Sequence, residues 1–302
     1  MTLSQRMRAL DARTVGGAAI RWAWKAVRAV ILLGLCFLIL YPFFIKVVNG
    51  LKSFEDFLDP TVHFLPKHPT LDNIKQAISV MDYPMTLLRT LLLSGGACLL
   101  QTLVSALVGY GFARFRFRGN NLLFGCVIAV LLVPPQTIMT PLFELFRFVL
   151  GTQTSLVDTP WPILILSLTG MGLRNGLYVF MFRQFFRGLP RELEEAAYID
   201  GCSVFPTFRR VILPSATPII VTVALFSFSW QWTDVFYNDL FFPEFKVMVS
   251  AIHLTQNLHA EPVMNSMLQN LAAVLAVAPL ALLYLIAQRS FVQGVERSGI
   301  VG

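Results

Sequence analysis

The chain has 302 residues, of which 56% are hydrophobic and 14% are charged, with a net charge of +7 and a mean hydropathy of +0.66. Soluble domains carry about 25% charged residues, so this composition excludes a water-soluble globular protein. The segments 122–143 and 211–233 contain no Asp, Glu, Lys or Arg. Each is long enough to cross the roughly 30 Å hydrocarbon core of a bilayer as a helix. The chain is therefore predicted to be an all-α membrane protein.

Hydropathy predicts six transmembrane helices. The first is too long for a cleaved signal peptide and is predicted to be an uncleaved anchor. Pro134 and Pro135 fall inside the third, where they predict a kink or a break because proline lacks the N–H that a helix needs. The predicted spans are 27–48, 89–112, 122–143, 161–182, 216–236 and 267–287.

Positive charge alternates between successive loops and predicts the orientation of the chain. Lys and Arg are abundant before the first span, between the second and third spans, after the fourth span and in the tail. Because cytoplasmic loops are enriched in Lys and Arg, both termini are predicted to be cytoplasmic. The predicted parts are a cytoplasmic N-terminal segment 1–26, a transmembrane domain 27–292 and a cytoplasmic tail 293–302, with a cytoplasmic loop 183–215 and external loops 49–88, 144–160 and 237–266.

The cytoplasmic loop 183–215 predicts a helix, a glycine turn and a second short helix. Pro190 suits the first turn of a helix, and the acidic residues that follow it are favoured by the helix dipole. Gly201 permits the backbone reversal that ends this helix, and Ser203 is a predicted N-cap for the second helix, which runs to Pro214. Such a hairpin either lies flat under the bilayer or is a docking surface.

The spacing of residues in this loop resembles the EAA motif of the membrane subunits of type I ABC importers. Glu195-Ala196-Ala197 is followed after three residues by Gly201, and nine residues later by Val211-Ile212-Leu213-Pro214. The family pattern is the same except that Ile stands in place of Val211. Six spans and a Trp-rich end of the fifth span (230–232) are similar to the second, shorter permease of the maltose-type system. The resemblance implies the type I ABC importer permease fold and a permease for oligosaccharides or related carbohydrates.

This resemblance also implies partners and a coupling role for the loop. The partners would be a second homologous permease in a heterodimer, two ABC ATPase subunits and an extracytoplasmic solute-binding protein, in a bacterial cytoplasmic (inner) membrane. No GxxxxGK[ST] loop occurs in the sequence, so ATP and Mg²⁺ are expected on the partner ATPase and this chain is expected to be non-catalytic, with no cofactor. The expected ATPase-coupling residues are Glu195, Ala196, Ala197, Asp200, Gly201, Leu213 and Pro214.

Two further groups of residues are candidates for contact with the cargo or with the binding protein. Arg174 and Asn175 lie within the fourth predicted span, and an ionisable residue at membrane depth either lines a pathway or is paired within the protein. Trp230 and Trp232 near the external end of the fifth span are either an aromatic interfacial belt or part of the cavity. Tyr237 and Asn238 begin the loop that would face the binding protein.

Other functions stay open from the sequence alone. The cargo could be another polar solute, such as a glycerol phosphodiester or a peptide. An integral membrane enzyme is a second alternative, although the chain lacks an embedded nucleophile–base pair. Four histidines in or near the external loops lack the close spacing of a metal site, and no metal is expected.

Overall fold

The computed structural model describes the backbone of residues 3–299 and the side chains of residues 22–149 and 151–288. Within this part of the chain the secondary structure is helical, without a β-strand. Short 3₁₀ helices cover Pro135–Ile138, Val149–Gly151 and Ile252–Thr255, and a π-helix covers Phe208–Ile212. The α-helices are α1 (Leu3–Leu51), α2 (Phe54–Leu58), α3 (Asp72–Val80), α4 (Tyr83–Arg114), α5 (Asn120–Val130), α6 (Met139–Arg147), α7 (Trp161–Leu168), α8 (Asn175–Gly188), α9 (Glu192–Ile199), α10 (Val204–Thr207), α11 (Leu213–Ser215), α12 (Thr217–Thr233), α13 (Phe236–Phe241), α14 (Met248–Ala251) and α15 (Pro262–Gly299).

Three helices are long and apolar enough to cross a membrane: Trp22–Leu51 within α1, the whole of α4, and Pro262–Gln288 within α15. Two bent pairs raise this number to five if each pair counts as one span. The first pair joins α5 to Pro135–Arg147 at an angle of 96°, and the second joins Val204–Ser215 to α12 at 79°. The first bend follows Pro134, as the sequence predicts. The extreme ends of the predicted cytoplasmic segments, 1–2 and 300–302, lie outside the described residues.

The fourth predicted span, 161–182, is not one helix, and the prediction of a continuous helix there is wrong. Helix α7 ends at Leu168 and α8 begins at Asn175. Between them Gly170 has a φ of 77° and Arg174 a φ of 57°, both in the left-handed region that ends a right-handed helix. Hydropathy averaged over the whole span misses this break because the six intervening residues, 169–174, are few beside the apolar residues on either side.

The chain divides into two compact units, Met1–Asn73 and Ile74–Gly302. In the first unit, hydrogen bonds organise the segment after α1. The Lys52 ammonium donates to the Val62 carbonyl at 2.7 Å, and Asn73 donates to the Gly50 and Lys52 carbonyls at 2.9 and 3.0 Å. Lys67 lies 2.6 Å from Asp59 and holds the pKa of that carboxyl well below its ordinary value.

In the second unit, α4 is the helix against which the others pack. It contacts α7, α8 and α12, and α12 in turn contacts α15. The contact between α4 and α8 is close at Gly109, where an added Cβ would lie 2.6 Å from Cβ of Phe182 and 3.1 Å from the Val179 carbonyl oxygen. Small residues that let two backbones approach are a common means of helix packing in membranes.

This contact yields a prediction with a control on the same helix. Gly109→Ala places a methyl group against the α8 backbone, and overpacking of this kind costs about 1–3 kcal/mol. Gly111→Ala meets nothing within 4 Å, so it is expected to leave stability unchanged or to raise it by up to about 1 kcal/mol. Thermal unfolding of the two purified variants in detergent measures the difference. Equal midpoints for both variants would contradict the close packing of α4 on α8.

Candidate coupling surface and translocation site

The loop with the EAA spacing folds as a helix, a glycine turn and a second helical segment, as predicted. Helix α9 ends in a Schellman turn, in which the Gly201 N–H donates to the Tyr198 carbonyl at 3.0 Å and the Cys202 N–H donates to the Ala197 carbonyl at 2.9 Å. Gly201 has a φ of 81°, and an added Cβ would meet nothing within 4 Å. Glycine is therefore favoured here by backbone conformation, and the surface in front of it is open.

The glutamate of the motif, Glu195, and its neighbour Glu194 have different environments. Glu195 is exposed, whereas the Glu194 carboxylate lies 3.0 Å from Nε of Arg114, the last residue of α4. The side chains of this pair are only 11% and 6% exposed. Nη2 of Arg114 also donates to the Leu189 carbonyl at 2.9 Å. This buried ion pair fastens α9 to the end of α4, and because its partners are 80 positions apart no local pattern predicts it.

The ion pair decides which face of α9 is free. Ala197 lies on the buried side with Glu194 and is 5% exposed, so it packs within this chain. Of the expected coupling residues on this helix, Ala196 and Asp200 are therefore exposed and Ala197 is not, so Ala197 is not available for direct contact with a partner.

Large apolar side chains are exposed beside these residues. Ile199 is 86% exposed and Phe205 is 63% exposed, on either side of the glycine turn. Exposed apolar side chains next to a turn with small residues are typical of a protein–protein contact. We call the exposed set the coupling surface; it consists of Glu195, Ala196, Ile199, Asp200, Gly201 and Phe205.

The second half of the loop is packed into the protein. Phe208 is buried, and its ring centroid lies 4.8 Å from that of Tyr110 in α4 and 6.3 Å from that of Phe186 in α8. Leu213 is half-buried, and Pro214 is exposed at the start of α11, just before the 79° bend into α12. The second half of the loop therefore connects the coupling surface to α4, α8 and α12.

Arg174 and Trp230 are brought together by the break between α7 and α8. The guanidinium carbon of Arg174 lies 3.4 Å from the centroid of the Trp230 ring, a cation–π contact. Arg174 is exposed, and Trp230 is half-buried. The other two pathway candidates are buried: Asn175 is 3% exposed, and Trp232 is 2% exposed and donates its indole N–H to the Ala276 carbonyl at 3.0 Å.

A buried polar cluster that sequence reasoning missed lies in the same region. The Gln101 amide donates to the Ser167 hydroxyl at 3.2 Å and accepts from the Ser227 hydroxyl at 2.6 Å. These bonds connect α4, α7 and α12. An added Cβ on Gly172, in the break, would lie 2.5 Å from Nε2 of Gln101. The cluster therefore holds the segment between α7 and α8 next to α4. In the sequence, the only sign of this cluster is a single Gln within a largely apolar stretch.

Tyr237 and Asn238 are 8% and 2% exposed, in the core rather than on a free surface. The Asp234 carboxylate accepts from both backbone N–H groups at 2.9 and 3.3 Å and so caps α13.

Among the side chains that the structure describes, no three His, Cys, Asp or Glu residues lie together as a metal site.

Several known proteins are similar to this chain in sequence. Residues 101–297 match the family described as binding-protein-dependent transport system inner membrane component. The chain is 30% identical over 268 residues to the sulfoquinovosyl glycerol transport system permease protein SmoH of Agrobacterium fabrum, which covers 87% of this chain and 89% of that protein. It is 25% identical over 262 residues to the melibiose/raffinose/stachyose import permease protein MelC of Bacillus subtilis, covering 86% and 91%.

A solved structure has a similar fold. It is one chain of a bacterial ABC transporter involved in the import of the acidic polysaccharide alginate, with a TM-score of 0.72 and 17% sequence identity over 96% of this chain and 99% of that chain. These similarities confirm the predicted permease fold class and the prediction of a non-catalytic transport subunit. The chain belongs to the family of binding-protein-dependent transport system inner membrane components, the membrane permeases that work in ABC transporter complexes with other subunits.

Proposed function

We propose that this chain is a permease subunit of an ATP-driven importer of oligosaccharides or related carbohydrates in a bacterial inner membrane. Relatives whose names give sugar conjugates or oligosaccharides as cargo align over more than four fifths of the chain, and this similarity carries the proposal. Both termini would be cytoplasmic, which the distribution of Lys and Arg supports. The assembly would contain a second homologous permease, two ATPases and a solute-binding protein.

The coupling surface is the proposed docking site for an ATPase subunit. Ala196 and Gly201 permit close approach, Glu195 and Asp200 can pair with basic residues, and Ile199 offers apolar area. Ala197, Leu213 and Pro214 would act behind this surface by holding its backbone. ATP and Mg²⁺ would bind to the ATPase, and its closure would move α9 as a rigid body together with α4.

Arg174 and Trp230 are the proposed lining of the translocation pathway. An exposed guanidinium on an aromatic ring offers hydrogen-bond donors beside an apolar face, and sugars present hydroxyls and apolar ring faces. Asn175 and Trp232 would support this pair from within the protein. The loop from Tyr237 to about Glu261 would contact the binding protein, with the buried Tyr237 and Asn238 fixing its start.

Gly201→Asp is expected to abolish transport and recovery of the ATPase while the chain still inserts into the membrane, because it places a side chain at the position where Gly201 permits close approach. Gly151→Asp is the matched control, since Gly151 also has a positive φ, 77°, and nothing within 4 Å of an added Cβ. Co-purification of the ATPase and sugar uptake into proteoliposomes are the measurements. Normal uptake with Gly201→Asp would rule out docking at this surface.

Substitution of the two adjacent glutamates is expected to have different effects, on stability for Glu194 and on recovery of the ATPase for Glu195. Glu194→Ala leaves the nearly buried Arg114 without its partner, and breaking a buried ion pair costs about 3–5 kcal/mol, so the purified chain should unfold at lower temperature. Glu195→Ala removes an exposed carboxylate and should change stability by less than about 0.5 kcal/mol while weakening recovery of the ATPase. Thermal unfolding and co-purification separate these effects. A stable Glu194→Ala chain would show that the ion pair does not anchor α9.

Arg174→Ala is expected to lower the rate of sugar uptake about tenfold, which corresponds to the loss of one well-placed charged contact of about 1.4 kcal/mol. Recovery of the ATPase should be unchanged, since Arg174 lies outside the coupling surface. Arg147→Ala is the control, because Arg147 also lies over an aromatic ring, that of Phe148 at 5.3 Å, but outside the proposed pathway. Equal uptake by the two variants would remove Arg174 from the pathway.

A further inference from the structure

A cavity of about 340 Å³ opens where α4 ends, α5 begins and α8 ends. Its polar lining consists of arginines and asparagines, and its remaining walls include the rings of Phe112, Phe115 and Phe117. The charged lining residues are Arg114, Arg116, Arg183, Arg187 and Arg191, and none of the lining residues is acidic.

Only one of these arginines is neutralised by an ion pair within the described part of the chain. Arg114 pairs with Glu194, whereas the other four have no carboxylate within 4.0 Å. Several guanidinium groups that share one cavity repel each other, so the arrangement is stabilised when an anion enters. An unpaired cluster of cations in a concave site attracts negatively charged groups.

Arg183 shows that the site is built into the fold rather than spread over a solvated face. It is 8% exposed, and its Nε atom is buried without a hydrogen-bond partner among the described residues. Its guanidinium carbon lies 3.8 Å from the centroid of the Phe124 ring, which fixes the plane of the group. A planar guanidinium with free donors matches the oxygen atoms of a phosphate group.

The aromatic residues beside the cavity indicate where the phosphate comes from. The ring centroids of Phe112 and Phe124 lie 5.7 Å apart, and those of Phe124 and Phe180 lie 6.3 Å apart. Phe180 belongs to α8 and lies three residues before Arg183. A row of apolar rings beside a cationic cavity suits a molecule with a phosphate head and acyl chains.

We propose that this cavity binds the phosphate group of an anionic phospholipid of the cytoplasmic leaflet. Basic pockets between membrane helices on the cytoplasmic side bind anionic head groups by the same chemistry. Arg191 also directly precedes α9, and its carbonyl accepts the N–H groups of Glu194 and Glu195 at 2.9 and 3.1 Å. A bound head group would therefore join the ends of α4 and α8 to the first turn of α9.

The test measures binding of phosphatidylglycerol to the full chain, purified with its accompanying subunits and stripped of native lipid. The variant is R187Q/R191Q, whose two arginines are exposed and line the cavity, and the control is R118Q, an exposed arginine of the α4–α5 turn outside the cavity. Each arginine near an anionic head group contributes about fivefold in affinity, so the double variant should bind about 25-fold more weakly and R118Q within about twofold of the wild type. Phosphatidylcholine, whose head group is neutral overall, should not compete.

Three results would overturn the proposal. Equal weakening by R118Q and by the double variant would show a general surface attraction rather than a site. Unchanged binding in the double variant would show that the cavity is not used. Displacement of the lipid by inorganic phosphate at equal concentration, lost in the double variant, would reassign the cavity to a free anion. Size-exclusion chromatography confirms that each variant is assembled before binding is measured.

Discussion

The ion pair between Arg114 and Glu194 determines how the loop with the EAA spacing is organised against the rest of this permease. Both side chains are nearly buried, so separating them would leave an uncompensated charge in a poorly solvated place. Because Arg114 also binds the Leu189 carbonyl, it fixes both the approach to α9 and the helix itself. The side of α9 that bears Ala197 is consequently turned inward, and the side that bears Ala196 is left exposed.

Helix α4 connects this anchor to the region proposed for the cargo. At its C-terminal end Arg114 of α4 holds α9, and near its middle Gln101 binds hydroxyls of α7 and α12 beside the break that carries Arg174. The close contact at Gly109 locks α8 to the same helix. Close-packed elements that share one rigid helix move together, so a displacement at the coupling surface would be transmitted to the broken segment.

Much of this fold was predictable because hydropathy, proline and glycine act within a few residues of the chain. The apolar stretches predicted α1, α4, α12 and α15, and the missing N–H of proline predicted the 96° bend that follows Pro134. The turn at Gly201 was predictable for the same local reason, since only glycine enters the left-handed region freely. Hydropathy alone did not reveal the break between α7 and α8, because it averages over the whole span and because the hydrogen bonds and close contact around Gln101 involve another helix.

The sequence by itself determined that this protein is a helical membrane permease and which loop carries the EAA spacing, since both follow from composition and from short-range spacing. Only the tertiary structure decided which residues of that loop are free. It turned Glu194 inward to an arginine 80 positions away and left Glu195 outside, although the two are chemically identical neighbours. It likewise put Trp232 in the core and Trp230 under Arg174. The physical reason is that burial and ion pairing depend on which distant side chain a helix face meets, and that information is absent from any local pattern.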